Sequence, residues 1–171
     1  MKKKIGSPVE DFGLANIDGE KVTLQAVLTG KKGAVVVFWS SICSHCSHYD
    51  GYLNGFAARH PEIGIVAVAS RQRETSSQLR ASATKRRLTF PILHDPTGKV
   101  ATCWFALQTP LVFLLDPNHV LLYRGAIDNR NFPRPVKTTY LETAIDEFLA
   151  SRPITRHEIA NFRCSIENGL S

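Results

Sequence analysis

Apolar and polar positions along the chain follow two periods, and each predicts its own kind of element. From Phe12 to Leu24 two short alternating segments flank Asp18-Gly19, a β-hairpin signal because glycine accepts positive φ at low cost. Ala34-Val35-Val36-Val37-Phe38-Trp39 is a continuous apolar run with β-branched valines at its centre, expected of a central parallel strand covered on both faces. From Cys43 to Arg59 the residues Cys46, Tyr49, Leu53, Phe56 and Ala57 recur at helical spacing, and His60-Pro61 ends the pattern. Ile63 to Ala69 predicts a second buried strand, about Glu74 to Arg87 a basic amphipathic helix, and Thr89 to Leu93 a short strand. Asp95-Pro96-Thr97-Gly98 is a turn, and Lys99 to Phe105 a short helix. The strand Leu111 to Leu115 turns at Asp116-Pro117-Asn118 into an antiparallel edge partner, Val120 to Arg124. A Pro-containing loop over 131–135 leads to a helix from Thr138 to Ala150, with an apolar face of Leu141, Ala144, Ile145, Phe148 and Leu149.

That order predicts an α/β fold, a mixed sheet flanked by helices with an N-terminal β-hairpin, because parallel neighbours need crossover helices. No internal repeat interrupts it, so residues 1–171 read as one domain, with a core over about 5–152 and a C-terminal tail over 153–171. At 43% hydrophobic and 21% charged residues, a chain of this length buries a core without covalent staples. Its four cysteines are therefore not a disulfide scaffold. The run Leu111-Val112-Phe113-Leu114-Leu115 is broken by Asp116 and Pro117, far short of the roughly 20 residues of a membrane-spanning helix, so no membrane insertion is expected. Met1-Lys2-Lys3-Lys4 imitates the head of a secretory leader, but Gly6, Pro8, Glu10 and Asp11 stand where its apolar stretch belongs. The expectation is a cytoplasmic protein as written, periplasmic or exported if a leader has been removed. The net charge of +6 and pI near 9.3 are concentrated locally at Arg71, Arg73, Arg80, Lys85, Arg86 and Arg87. No nucleic-acid motif accompanies them, so they read as a solvated helix face suited to acidic protein partners rather than nucleic acid.

The chemistry-bearing feature is Cys43-Ser44-His45-Cys46. Two thiols separated by two residues at the start of a helix lie about one turn apart and close a small disulfide ring with little backbone movement. Free N–H groups and the positive end of the helix favour thiolate at Cys43, the expected nucleophile, exposed at the strand-to-helix junction. Cys46 is the expected resolving thiol. His45, between them, either stabilises the thiolate and makes the couple more oxidising or faces solvent with no tuning role. Zinc is disfavoured, because Cys43, His45, Cys46 and His48 crowd one short stretch while Cys103 and Cys164 stand alone. Covalent haem attachment is excluded by Ser47 after Cys46.

The residues Phe12-Gly13-Leu14, Phe38-Trp39-Ser40-Ser41-Ile42-Cys43, Phe90-Pro91-Ile92-Leu93-His94-Asp95, Thr109-Pro110 and Phe113-Leu114-Leu115-Asp116 together resemble the thioredoxin superfamily. Within it they look most like the redoxin branch, which includes alkyl hydroperoxide reductase and thiol-specific antioxidant proteins. Tyr123 to Asp128 and the terminal Cys164-Ser165-Ile166 resemble a redoxin-like subgroup. The resemblance implies a thioredoxin-like fold and a thiol-disulfide oxidoreductase that exchanges with protein thiols and disulfides and needs no metal or organic cofactor. It also implies that Pro110 is cis beside the cysteines and that the Thr109 backbone pairs with a partner segment. Trp39 is expected to pack beneath the pair. Two departures stand out: Val37 occupies the position of the buried carboxylate of thioredoxins, and Ile42 replaces an aromatic residue. The alternatives are a thiol-dependent peroxidase, for which Ser40 fits the motif and Val36 stands where proline belongs, and a non-catalytic thioredoxin-like binding module. Cys103, in an apolar helical setting, reads as a buried small hydrophobe. Cys164 reads as either a structural tail residue or a third redox thiol reaching Cys43. Arg124 and Asp128 are expected to shape the far end of the sheet. The sequence leaves open the oligomeric state, the partner and the direction of electron flow.

Overall fold

The computed structural model of the chain describes residues 1–130, 134–160 and 164–166. The hairpin forms as expected, with β1 (Gly13–Asn16) antiparallel to β2 (Lys21–Thr23). The Asn16 side-chain oxygen accepts from the N–H groups of Asp18 and Glu20, each at 2.9 Å, and Gly19 turns the chain at φ +90°. Thr23 then caps α1 (Leu24–Leu28) by accepting from Ala26 N at 3.0 Å.

β3 (Gly33–Trp39) is buried at every position. Its period of two divides the interior: Val35, Val37 and Trp39 join one core, and Ala34, Val36 and Phe38 the other. The helical stretch that follows is three short pieces, α2 (Ser44–Ser47), α3 (Asp50–Asn54) and α4 (Phe56–Arg59), rather than the single helix expected. Gly51 and Gly55 are poor helix formers, and the turns at Cys46 and Tyr49 tighten to bonds reaching back three residues. Cys46, Tyr49, Leu53 and Phe56 still reach the core, whereas Ala57 faces outward.

β4 (Ile63–Ala69) is followed by α5 (Ser76–Arg86), which opens on a capping box between Thr75 and Gln78. The amphipathic face expected of α5 is a narrow strip, since only Leu79 and Ala83 are buried on it. β5 (Ile92–His94) starts later than the pattern suggested, because the Thr89 N–H is taken by the Asn54 side chain at 2.8 Å. Asp95 accepts from Val100 N at 3.0 Å and Ala101 N at 3.2 Å at the start of α6 (Lys99–Trp104). Cys103 is exposed, against expectation, because the buried face of α6 runs through Val100, Ala101 and Trp104.

β6 (Gln108–Thr109) precedes β7 (Leu111–Leu115), which returns through β8 (Leu121–Gly125). α7 (Tyr140–Leu149) lays Leu141, Ala144 and Ile145 into the core, and Phe148 and Leu149 are partly buried against it. The first three residues of the expected loop, 131–133, lie outside the described residues. The main sheet runs β2-β1-β5-β4-β3-β7-β8, with β3, β4 and β5 parallel and β7 antiparallel to β3. α3, α4, α5 and α7 cover one face, α1 and α6 the other. This is the mixed thioredoxin-like α/β architecture. No helix of the described residues is long and apolar enough to cross a membrane. A ninth strand, β9 (Cys164–Ser165), unforeseen in the sequence, pairs with β6 in a second small sheet.

Candidate functional site

The parallel strands β3, β4 and β5 end along one edge of the sheet, where side chains from several loops converge. From β3 the chain passes through buried Ser40 to Cys43, the residue before α2. α2 spans four residues, so the charge-stabilising end expected of one long helix is reduced to a single turn.

The expected exposure of the cysteine pair is also corrected: Cys43 is 2% exposed and Cys46 fully buried. Cys43 is not bonded to Cys46. Its sulfur forms a disulfide with Cys164, across a Cα–Cα distance of 6.2 Å and a sequence separation of 121. Of the two readings of Cys164, this bond matches the thiol that reaches Cys43, and the Cys164 end of β9 lies against the sulfur that sequence reasoning left open to solvent. Cys46 keeps a free thiol. Burial pushes that thiol up to about 12 from its ordinary 9.0, and the Glu74 carboxylate adds to the effect, while the Ser40 backbone, Thr109 and Arg86 oppose it.

The Thr109-Pro110 peptide is cis, as the family resemblance implied. Cys43 Sγ lies 3.6 Å from the Thr109 carbonyl oxygen. Thr109 is fully buried. Trp39 belongs to the same core cluster as Cys43 and Cys46, with its ring edge-on to Phe90 at 5.8 Å. His45 is half-buried on α2.

Several participants escaped the sequence reading. Glu74, 2% exposed, accepts the Ser41 N–H at 2.6 Å and the Ser41 hydroxyl, while its Oε2 has no partner among the described residues. It is a buried carboxylate on the loop after β4, whereas Val37 on β3 carries none. Arg86 donates to the Ser41 carbonyl at 3.0 Å, pairs with Asp50 through two nitrogens, and lies over the Trp39 ring at 5.3 Å. Asp128, assigned from sequence to the far end of the sheet, instead accepts the Tyr49 hydroxyl at 2.7 Å and so braces the turn after Cys46. Arg124 is occupied elsewhere, donating to the Lys3 carbonyl at 2.8 Å and to Glu158 at 3.0 Å. None of these contacts follows a local periodicity.

The model of the AhpC/TSA family matches residues 5–124, a span from the N-terminal segment to the end of β8 that includes the cysteine pair and cis-Pro110. The chain belongs to the AhpC/TSA family. It is 31% identical over 118 residues to the thioredoxin-like protein YneN of Bacillus subtilis, an alignment covering 68% of each chain. It is 27% identical over 117 residues to the thiol-disulfide oxidoreductase ResA of Oceanobacillus iheyensis, covering 67% of this chain. The match spans 61% of that relative's length, and 64% of a second ResA, from Geobacillus thermodenitrificans. Among solved structures, a hypothetical protein of Sinorhizobium meliloti superposes with a TM-score of 0.88 at 25% identity, covering 100% of this chain and 98% of the other.

Proposed function

We propose that this AhpC/TSA-family chain is a thiol-disulfide oxidoreductase acting on protein partners, with Cys43 as attacking sulfur and Cys46 as resolving thiol. The observation that carries this reading is the Cys43 sulfur itself, beside the Thr109 carbonyl and already joined to a cysteine outside the pair. A sulfur held there exchanges with whatever strand lies along Thr109. The names of the ResA relatives support the same chemistry.

In the reductive direction, Cys43 thiolate attacks one sulfur of a partner disulfide, a mixed disulfide forms, and the partner's other sulfur leaves as thiolate. Cys46 then loses its proton and attacks Cys43; the Cys43–Cys46 bond forms, and the partner departs with its second thiol. Cys46 is deeply protonated in its buried site, so this second step is the slow one. Glu74, whose charge reaches Cys46 and whose Oε2 has no partner among the described residues, is the group suited to receive that proton. Ile42, 59% exposed, and Leu107, 41% exposed, give the site an apolar rim for a docking protein.

Insulin reduction in the presence of dithiothreitol tests the assignment. Wild-type protein accelerates it, the Cys46→Ser, Cys164→Ser double variant accumulates a mixed disulfide with insulin through Cys43, and Cys43→Ser does neither. A Cys43→Ser protein with the wild-type rate removes the reading.

A further inference from the structure

The segment that bonds Cys43 is held like a docked ligand. β9 lies antiparallel to β6, with Cys164 opposite Thr109 and Ser165 opposite Gln108. One residue further, the Ile166 N–H donates to the Leu107 carbonyl at 2.8 Å. Arg71 reaches from the loop after β4 and donates to the Ser165 carbonyl at 2.7 Å. These contacts grip backbone and are indifferent to side-chain identity. Two side chains are read individually. Alternation along an extended segment sends residues 164 and 166 to one side and 165 to the other: Cys164 bonds Cys43, Ile166 is 6% exposed in the core cluster of α6 and β7, and Ser165 faces solvent. The segment straddles the end of the sheet, with its sulfur over one core and its isoleucine in the other.

Resting on the thiol-exchange reading above, we propose that the groove along Leu107-Gln108-Thr109 recognises extended protein segments with a cysteine followed two residues later by a branched aliphatic residue. Residues 164–166 are its tethered occupant, and disulfide isomerisation vacates it. In that step the Cys46 thiol gives up its proton and its sulfur attacks Cys43. The Cys43–Cys46 bond forms as the Cys43–Cys164 bond breaks, and Cys164 leaves as a thiolate that takes up a proton. One disulfide is present before and after, so no outside oxidant or reductant is needed. The freed tail then yields its place on Thr109 to a partner segment of the same pattern.

The test uses the full-length chain and two peptides, Arg-Cys-Ser-Ile-Glu and Arg-Cys-Ser-Asp-Glu, each activated as a mixed disulfide with thionitrobenzoate. A Cys46→Ser, Cys103→Ser, Cys164→Ser protein, reduced beforehand, has no disulfide holding the tail and keeps Cys43 as its one thiol. It is expected to release thionitrobenzoate from the isoleucine peptide about tenfold or more faster than from the aspartate peptide, the factor that burying one branched aliphatic side chain supplies. Adding Ile166→Asp, which weakens the tail's own hold, is expected to raise the rate with the isoleucine peptide further. Peptide mapping of the oxidised chains is expected to find both Cys43–Cys164 and Cys43–Cys46 in wild type and only the former in Cys46→Ser. Equal rates with the two peptides, or no Cys43–Cys164 link in oxidised Cys46→Ser, overturn the proposal while leaving thiol exchange standing. Should Cys43 fail to react with either peptide and with the small reagent dithionitrobenzoate, both readings fall together.

Discussion

Burial of Cys46 makes a quantitative demand on stability. Its thiol is raised from 9.0 to about 12, first by burial and then by the Glu74 charge. The folded protein therefore holds this proton over a window in which the unfolded chain has released it. Below pH 9 both states are protonated and the contribution is complete; as pH climbs from 9 towards 12 the unfolded state binds fewer protons, and stability is lost. A displacement of three units corresponds to about 4 kcal/mol in total, and roughly two-thirds of it, about 2.7 kcal/mol, is gone by pH 11. The perturbation is Cys46→Ala, made in a Cys43→Ser, Cys164→Ser background so that disulfides cannot reshuffle. Urea unfolding of the matched pair at pH 8 and pH 11 gives the difference. The packing cost of alanine is common to both pH values, and the buried Tyr52 and Tyr123 hydroxyls, also raised by burial, titrate alike in the two proteins. The advantage of the Cys46 protein should shrink by about 2 to 3 kcal/mol between the two pH values. An unchanged difference would refute the claim that this thiol is desolvated. The same displacement leaves about a thousandfold less thiolate near neutrality than an ordinary cysteine has, so mixed disulfides on Cys43 should resolve faster as pH rises.

Glu74→Gln removes the negative charge that adds to burial at Cys46 while leaving an acceptor for Ser41; the folded thiol then titrates lower, so in the same assay the advantage of the Cys46 protein should shrink less between pH 8 and pH 11, and an unaltered loss would dissociate Glu74 from Cys46. Tyr49→Phe strips the hydroxyl from buried Asp128 and should cost about 1 to 3 kcal/mol in denaturant unfolding, whereas a change below 0.5 kcal/mol would show that the brace is idle. Cys103→Ser, at an exposed position, should leave both stability, to within about 0.5 kcal/mol, and insulin reduction unaltered; a larger loss would restore the buried reading of that residue.

Particular residues mark how far the sequence could be read. The run Ala34 to Trp39 announced a strand buried on both faces, and all of β3 is buried. Asp18-Gly19 announced the hairpin, and family resemblance pointed correctly to cis-Pro110. Each of these signals is either local in the chain or an oft-repeated motif. Helical spacing after Cys43 placed Tyr49, Leu53 and Phe56 correctly but could not register Gly51 and Gly55 breaking the helix. Cys103 was misjudged because hydrophobic neighbours in sequence say little about which side of a short helix meets the core.

The hairpin, the buried strands and the antiparallel edge pair, their order along the chain, and the candidate pair Cys43 and Cys46 were determined by the sequence alone, since alternation, turn chemistry and thiol spacing are written within a few residues of one another. Only the tertiary structure decided which cysteine Cys43 meets, that Glu74 and Arg86 flank the pair, and that Ile166 is buried. Those outcomes depend on segments up to 121 positions apart along the chain. A strand of two residues carries no periodicity of its own; its partner is chosen by backbone hydrogen bonds and one sulfur that become neighbours only after the sheet has formed.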